Sequence, residues 1–151
     1  MRKIIIMTTL CTAFAAGIYA QTNSESSAAQ VKFVPMDVYI DSGSNALAAY
    51  QFELVVLQGD AKIVGVEGGQ HTAFANPPYY DPAALNHNRI IIAAFSTSKD
   101  LPKGKTRIAT IHMRIAGEIE PKYETKLVVA ATSDGNKITA TITLEKGGTQ
   151  L

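Results

Sequence analysis

Short runs of β-branched and aromatic residues, separated by clusters of turn residues, follow one another along the chain from Val31 onward. Such runs are typical of β-strands, and no stretch keeps a helical period for as long as about ten residues. The runs predict strands over residues 31–40, 50–56, 62–67, 89–95, 108–115, 123–132 and 138–144. About seven or eight short strands with turn signals between them predict an all-β fold, an antiparallel two-sheet sandwich of which the jelly roll is one form.

Alternation within the strands indicates which side chains face the core. Over residues 50–56 the aromatic and aliphatic positions alternate with Gln51 and Glu53, which therefore point away from the core. The run over residues 89–95 is apolar at nearly every position, as expected of a central strand covered on both faces. The phenylalanines beyond residue 20 lie mostly in such runs and are expected in the core; they are Phe33, Phe52, Phe74 and Phe95.

Two turn signals add local detail. The Asp134–Gly135 pair favours the positive φ angles of a tight turn, and it predicts a hairpin between the strands over residues 123–132 and 138–144. Asp81 followed by Pro82 has the order of a helix cap and a first helical residue, and it predicts a single helical turn.

The first 20 residues have the features of a secretory signal peptide. Arg2 and Lys3 precede an apolar segment over residues 4–17, and Ala20 supplies a small residue at the cut. Three threonines interrupt the apolar segment, which is shorter than the roughly 20 residues of a membrane-spanning helix. We therefore expect cleavage near Ala20, no membrane insertion afterwards, and a secreted, periplasmic or cell-surface protein. The expected organisation is a signal peptide over residues 1–20, a disordered polar lead-in over 21–30 and one sandwich domain over 31–151.

Removal of the signal peptide changes the charge and the chemistry of the chain. The chain has 151 residues, with 14 basic and 13 acidic side chains and one cysteine. Arg2, Lys3 and the cysteine, Cys11, all lie in the signal peptide, so the remainder carries 12 basic and 13 acidic residues and no thiol. Near-neutral charge without a basic cluster argues against a nucleic-acid partner. The lack of cysteine excludes thiolate catalysis and cysteine-based zinc sites beyond residue 20.

Residues that could support catalysis or bind a metal are few and scattered. His71, His87 and His112 form no pair at metal-ligand spacing, and Glu118 and Glu120 flank one residue of a connecting loop. No nucleophile elbow, phosphate-binding glycine loop or calcium-loop spacing occurs. The sequence therefore predicts a protein that is not an enzyme and that has no catalytic residue, metal site or cofactor.

Four runs, in this order, resemble the cohesin family. They are Ala46–Leu54 (ALAAYQFEL), Ile63–Gly69 (IVGVEGG), Arg89–Ser96 (RIIIAAFS) and Gly104–Ile115 (GKTRIATIHMRI). Cohesins have comparable strands of the forms GIANxDF, IIGI and KIIV, and a later strand of the form FAxIxF. The resemblance extends over residues 31–146 and implies a jelly-roll sandwich of about eight or nine strands.

The resemblance also implies a function. Cohesins are not catalysts, and they bind a partner's helical dockerin module on one sheet face. The expected partner is thus a dockerin-like module, in an extracellular assembly related to polysaccharides, and the expected binding residues are Gln51, Glu53, Ser96 and Ser98. Many cohesins have Asn and Asp on the recognition strand, where this chain has Ala49 and Gln51. Neither side chain offers the charge-assisted acceptor that an aspartate provides.

A carbohydrate-binding module is the alternative. Tyr79 and Tyr80 lie in a proline-rich segment, residues 77–82, and exposed rings in a stiff loop are a usual means of holding a sugar. Such tyrosines either anchor a ligand or fold back to bond the backbone. Two exposed, coplanar rings beside polar groups would favour polysaccharide as the ligand.

Overall fold

The computed structural model describes residues 30–148. The predicted signal peptide over residues 1–20 and nearly all of the predicted lead-in over 21–30 lie outside the described residues. Within residues 30–148 no helix is long and apolar enough to cross a membrane.

The described chain forms two antiparallel sheets of four strands each, which confirms the predicted all-β two-sheet sandwich. Sheet I has the order β3-β6-β1-β8 and sheet II the order β4-β5-β2-β7. All successive strands lie in opposite sheets, apart from β4 and β5. The strand bounds are Val31–Asp41 for β1, Ala49–Gln58 for β2, Asp60–Gly68 for β3, Tyr79–Tyr80 for β4, Arg89–Phe95 for β5, Lys105–Ala116 for β6, Lys122–Ala131 for β7 and Thr141–Lys146 for β8.

The core lies between the sheets and follows the alternation read from the sequence. On β2 the inward set is buried, with Phe52 and Leu54 fully inaccessible to solvent. Phe74 is also buried, so two of the four expected core phenylalanines are confirmed. The expectation is wrong for the other two, because Phe33 is 69% exposed and Phe95 is 68% exposed on the outer faces of sheets I and II. In a two-layer sandwich only one face of each strand packs on the other sheet, so β5 has an exposed outer face and the expected cover on both faces is wrong.

The two predicted turns are present, but the strands on either side of the second turn do not pair with each other. Pro82–Ala84 forms a single 3₁₀ turn, and the carboxylate of Asp81 caps it by accepting from the Ala83 N–H at 2.9 Å. Gly135 has a positive φ of 78° at the predicted tight turn. The predicted β7–β8 hairpin is wrong: an isolated bridge joins Ala131 to Lys137 across the turn, but β8 itself pairs with β1 in sheet I. Local turn chemistry sets the turn, whereas the free edge of β1 decides which sheet the next strand joins.

Gly69 lies where two backbone segments approach closely. A Cβ atom there would be 2.3 Å from the carbonyl oxygen of Arg107, which is too close for any side chain. We predict that Gly69→Ala lowers the free energy of unfolding by about 1–3 kcal/mol, because the backbone must shift to make room. Gly148→Ala, with nothing within 4 Å, is the control and should change it by less than about 0.5 kcal/mol. Urea denaturation measures both, and equal stability of the two variants would contradict the close approach.

Tyr50 carries a polar group into the core. Its O–H donates to the Ile108 carbonyl at 3.0 Å, and its ring meets the edge of Phe74 at 5.1 Å between centroids. Burial raises the pKa of Tyr50 above its ordinary value, so the folded state holds the phenolic proton more tightly than the unfolded chain does. The stability from this proton is complete below the unfolded pKa of about 10 and is lost as pH rises above it.

Tyr50→Phe is therefore expected to have opposite effects at neutral and alkaline pH. At neutral pH it should lower the free energy of unfolding by about 1 kcal/mol, the contribution of one buried hydrogen bond. Between about pH 9 and pH 11 the variant should lose less stability than the unsubstituted protein. Denaturant unfolding across this pH range measures the effect, with Tyr79→Phe on an exposed ring as the control. If the free energy of unfolding fell equally with rising pH in the Tyr50→Phe and unsubstituted proteins, the predicted role of the Tyr50 proton would be refuted.

Candidate functional site

The outer face of sheet II holds a row of four cross-strand neighbours. Tyr79 on β4 lies opposite Ala93 on β5, Ala93 lies opposite Gln51 on β2, and Gln51 lies opposite Val129 on β7. Because partners in a row share a face of the sheet, these four side chains project to the same side. The row extends across the whole width of the sheet.

Large apolar side chains on this face are unusually exposed. Tyr79 is 75% exposed, Phe95 68% and Ile91 44%. Phe95 and Ile91 are each two residues from Ala93 on β5, so they share its face, and Phe95 lies diagonal to Tyr79 within the reach of aromatic rings. Tyr79 and Phe95 also line the same depression of about 260 Å³. We call the surface formed by Gln51, Glu53, Tyr79, Ile91, Phe95 and Val129 the aromatic face.

The segment before β4 holds Tyr79 in place. Phe74, which belongs to this segment, has a buried side chain, and its carbonyl accepts a hydrogen bond from the Gly69 N–H at 2.7 Å. His71 caps the one-turn helix that carries Phe74, since its Nδ1 accepts from the Ala73 N–H at 3.2 Å. Pro77 and the buried Pro78 then stiffen the chain into β4. Tyr79 is therefore presented from an anchored segment.

The structure brings two of the four predicted partner-binding residues into the middle of this face. Gln51 and Glu53 are partly exposed neighbours on β2, as their alternation predicts. Glu53 lies opposite Ile91 and forms an ion pair with Arg89 through the arginine Nε. The pair offsets the acidic charge of Glu53, and the exposed Lys126 lies opposite Glu53 on β7, so this part of the aromatic face carries a basic group beside its apolar and uncharged polar groups.

The other two predicted binding residues lie beyond the end of β5. The Ser96 hydroxyl accepts from the Ser98 N–H, and the Ser98 hydroxyl accepts from the Asp100 N–H, both at 3.2 Å. These bonds shape the loop that follows Phe95, a role that explains both serines without a partner. They border the aromatic face and do not contribute to its centre.

Tyr79 and Tyr80 point to opposite sides of sheet II. They form β4 rather than a loop, and strand alternation turns Tyr80 inward, where it is partly buried against the core. The pair therefore does not present two exposed, coplanar rings, which is the arrangement that would favour a sugar as the ligand of Tyr79 and Tyr80. The aromatic neighbour of Tyr79 on the surface is Phe95, which sequence reasoning had placed in the core.

Comparison with protein-family models, curated proteins and solved structures finds no match in any of the three. The resemblance to cohesins thus stays a prediction.

The residues examined for catalysis lie apart from one another. His71 serves as a cap, His87 is exposed in a loop, and His112 lies on the outer face of sheet I beside Glu67. Glu118 is exposed, and Glu120 lies 3.6 Å from Lys32. Residues 30–148 contain no group of three or more side chains that could hold a metal ion.

Proposed function

We propose that the protein is a secreted, non-catalytic binding module that docks a dockerin-like protein partner on the aromatic face, within an extracellular assembly related to polysaccharides. The observation that carries the proposal is the exposure of Tyr79 and Phe95 side by side on one sheet face, 75% and 68%. Contiguous exposed apolar groups rimmed by polar residues mark interaction sites, and aromatic residues are enriched in the cores of interfaces. Export is supported by the composition of residues 1–20.

The chemistry of the face favours a partner with an apolar surface. Glu53 is already paired with Arg89 and faces Lys126, and Gln51 is uncharged, so a strongly basic partner would gain little at the centre. An amphipathic helix offers an apolar ridge that can lie across a shallow sheet face. In this proposal Tyr79, Phe95 and Ile91 contact that ridge, and Gln51 supplies hydrogen bonds that orient it. Affinity then comes from burial of rings rather than from charge-assisted bonds.

Site-specific photo-crosslinking tests this proposal. Benzoylphenylalanine replaces Phe95 in one protein and Phe33 in another, a matched pair because the two phenylalanines are 68% and 69% exposed on opposite sheets. Each protein is irradiated among the secreted proteins of the source organism, and the adducts are identified by mass spectrometry. We expect one defined adduct from position 95, with a protein that carries a dockerin-like helical module, and none from position 33. Equal adducts from both positions, or adducts only between copies of this chain, would overturn the proposal.

A polysaccharide is the competing occupant of the same face. Tyr79 and Phe95 line one depression together with Asn76, so a ring surface and an amide lie close together there. Retention of the protein on insoluble polysaccharide, lost in Tyr79→Ala and kept in Phe33→Ala, would favour this occupant over a protein.

A further inference from the structure

A second concave surface lies on the outer face of sheet I, on the opposite side of the sandwich from the aromatic face. It is a groove of about 440 Å³. We call it the polar groove, and the side chains that matter for its chemistry are Asp37, Glu67, Arg107, Thr110 and His112. Asp37 on β1 and Glu67 on β3 both lie opposite Thr110 on β6, so one cross-strand row spans the groove.

Asp37 and Arg107 hold each other in the groove and are partly withdrawn from solvent. Oδ1 of Asp37 accepts from the Thr110 hydroxyl at 2.6 Å and from Arg107 Nη1 at 3.2 Å. Arg107 Nη1 also donates to the Thr110 hydroxyl at 2.8 Å. The Asp37 side chain is only 16% exposed and that of Arg107 32%. An ordinary surface ion pair would be more solvated, so this arrangement fixes the orientation of both groups before any ligand arrives.

The pairing of β6 with each of its neighbouring strands is irregular beside the groove. The register between β1 and β6 shifts at Val38/Tyr39, and the register between β3 and β6 shifts at Ile63/Gly65. Bulges of this kind re-aim side chains and are common beside binding sites. Gly65 has no side chain to fill the space opposite His112, and Gly147 and Gly148 form part of the rim.

Some hydrogen-bonding groups in the groove have no partner in the part of the chain that the structure describes. Within residues 30–148 both side-chain bonds to Asp37 fall on Oδ1, and no hydrogen bond to Oδ2 is found. His112 Nε2 is buried and lies 3.0 Å from Glu67 Oε1 without hydrogen-bond geometry. Two carboxylates and a guanidinium are thus gathered on one surface, whereas the buried Nε2 of His112 is closed to a ligand. Each sugar hydroxyl both donates and accepts, so a polyhydroxylated ligand can use acceptors and donors placed in this way.

We propose that the polar groove binds a neutral saccharide through its vicinal hydroxyl groups. The opposing charges of Asp37 and Arg107 favour an uncharged ligand over a phosphate or a polycation. Tyr39 supplies the aromatic ring nearest to the groove, and Lys105 Nζ lies over one face of this ring, 4.7 Å from its centroid. A sugar cannot stack on the face that Lys105 covers, so hydrogen bonds account for its recognition. The expected affinity is weak, with a Kd of about 1 mM. The site is independent of the partner-binding proposal, because it lies on the other sheet.

Backbone NMR titration of the domain tests the groove. The probes are hexasaccharides of gluco, manno, galacto and xylo configuration, each added to about 10 mM, or ten times the expected Kd. We expect at least one to shift the amides of residues 36–39, 65–70 and 107–112 in a saturable way. Asp37→Asn and Glu67→Gln should each weaken that binding about tenfold, as expected for the loss of a hydrogen bond to a charged group. Asp134→Asn and Glu118→Gln, in exposed turns, are the matched controls and should leave it unchanged.

Each other outcome overturns the proposal. Shifts confined to residues 79 and 91–95 would place any sugar on the aromatic face, and no saturable shift with any probe would exclude a sugar site. Unchanged binding in both groove variants would show that the carboxylates do not contact the ligand. Should Asp37→Asn lose its native spectrum, Glu67→Gln alone decides, because the Glu67 side chain is 67% exposed and its replacement leaves the fold intact.

Discussion

Substitution of both Tyr79 and Phe95 by alanine is expected to weaken binding of the crosslinked partner by at least about 100-fold. Exposed aromatic residues near the centre of an interface commonly cost about 2 kcal/mol or more when truncated, which is roughly 30-fold for each ring. Because the two rings line one depression, their contributions are coupled, and the double variant should fall short of the product of the single effects. Isothermal titration calorimetry with the purified partner measures the affinity of Tyr79→Ala, of Phe95→Ala and of the double variant.

Phe33→Ala is the matched control for this experiment. It removes a ring of the same type with nearly the same exposure, but from sheet I, so partner affinity should stay within about twofold of the original. Because Phe95 and Phe33 project into solvent, both variants should also unfold at nearly the same denaturant concentration as the unsubstituted protein. A loss of affinity in Phe33→Ala as large as that in Phe95→Ala would show that the partner does not bind specifically to the aromatic face.

The largest expected effect on stability is that of Phe52→Ala. Phe52 is fully buried in the middle of β2, opposite Ile92 on β5 and Leu127 on β7, so it packs at the centre of sheet II. Truncation removes the transfer free energy of the ring and leaves a cavity, for which a loss of about 3–5 kcal/mol is expected. Urea denaturation measures it, with Phe95→Ala as a control expected to change stability by less than about 0.5 kcal/mol. Similar losses in the two variants would contradict the assignment of Phe95 to the surface.

The inward alternation of β2 was readable from the sequence because strand periodicity depends only on neighbouring residues. The same periodicity could not tell which apolar positions of β5 are covered, since that depends on whether a further layer packs on the outer face of sheet II. Phe95 was assigned to the core for this reason, although it lies on the surface. Because a two-layer sandwich buries only one face of each strand, a strand that is apolar on both faces, such as β5, is the signal that would have indicated an exposed patch.

Tertiary contacts also decide the features that involve residues far apart in the chain. The turn at Gly135 follows from local chemistry, but the pairing of β8 with β1 does not, because it depends on the free edge of sheet I. The polar groove is a similar case. Asp37, Glu67 and Arg107 share no sequence spacing, and only the register of three strands brings them into one groove. No motif in the sequence could have predicted it.

NMR cross-saturation from the unlabelled partner to the methyl groups of the labelled domain tests the central claim most directly. Ile91 on sheet II and Val31 on sheet I are 44% and 43% exposed, so solvent access does not distinguish them. The docking proposal predicts strong loss of signal at Ile91 and Val129 and none at Val31. Loss at Val31 with Ile91 and Val129 unaffected would place the partner on sheet I and contradict the proposal.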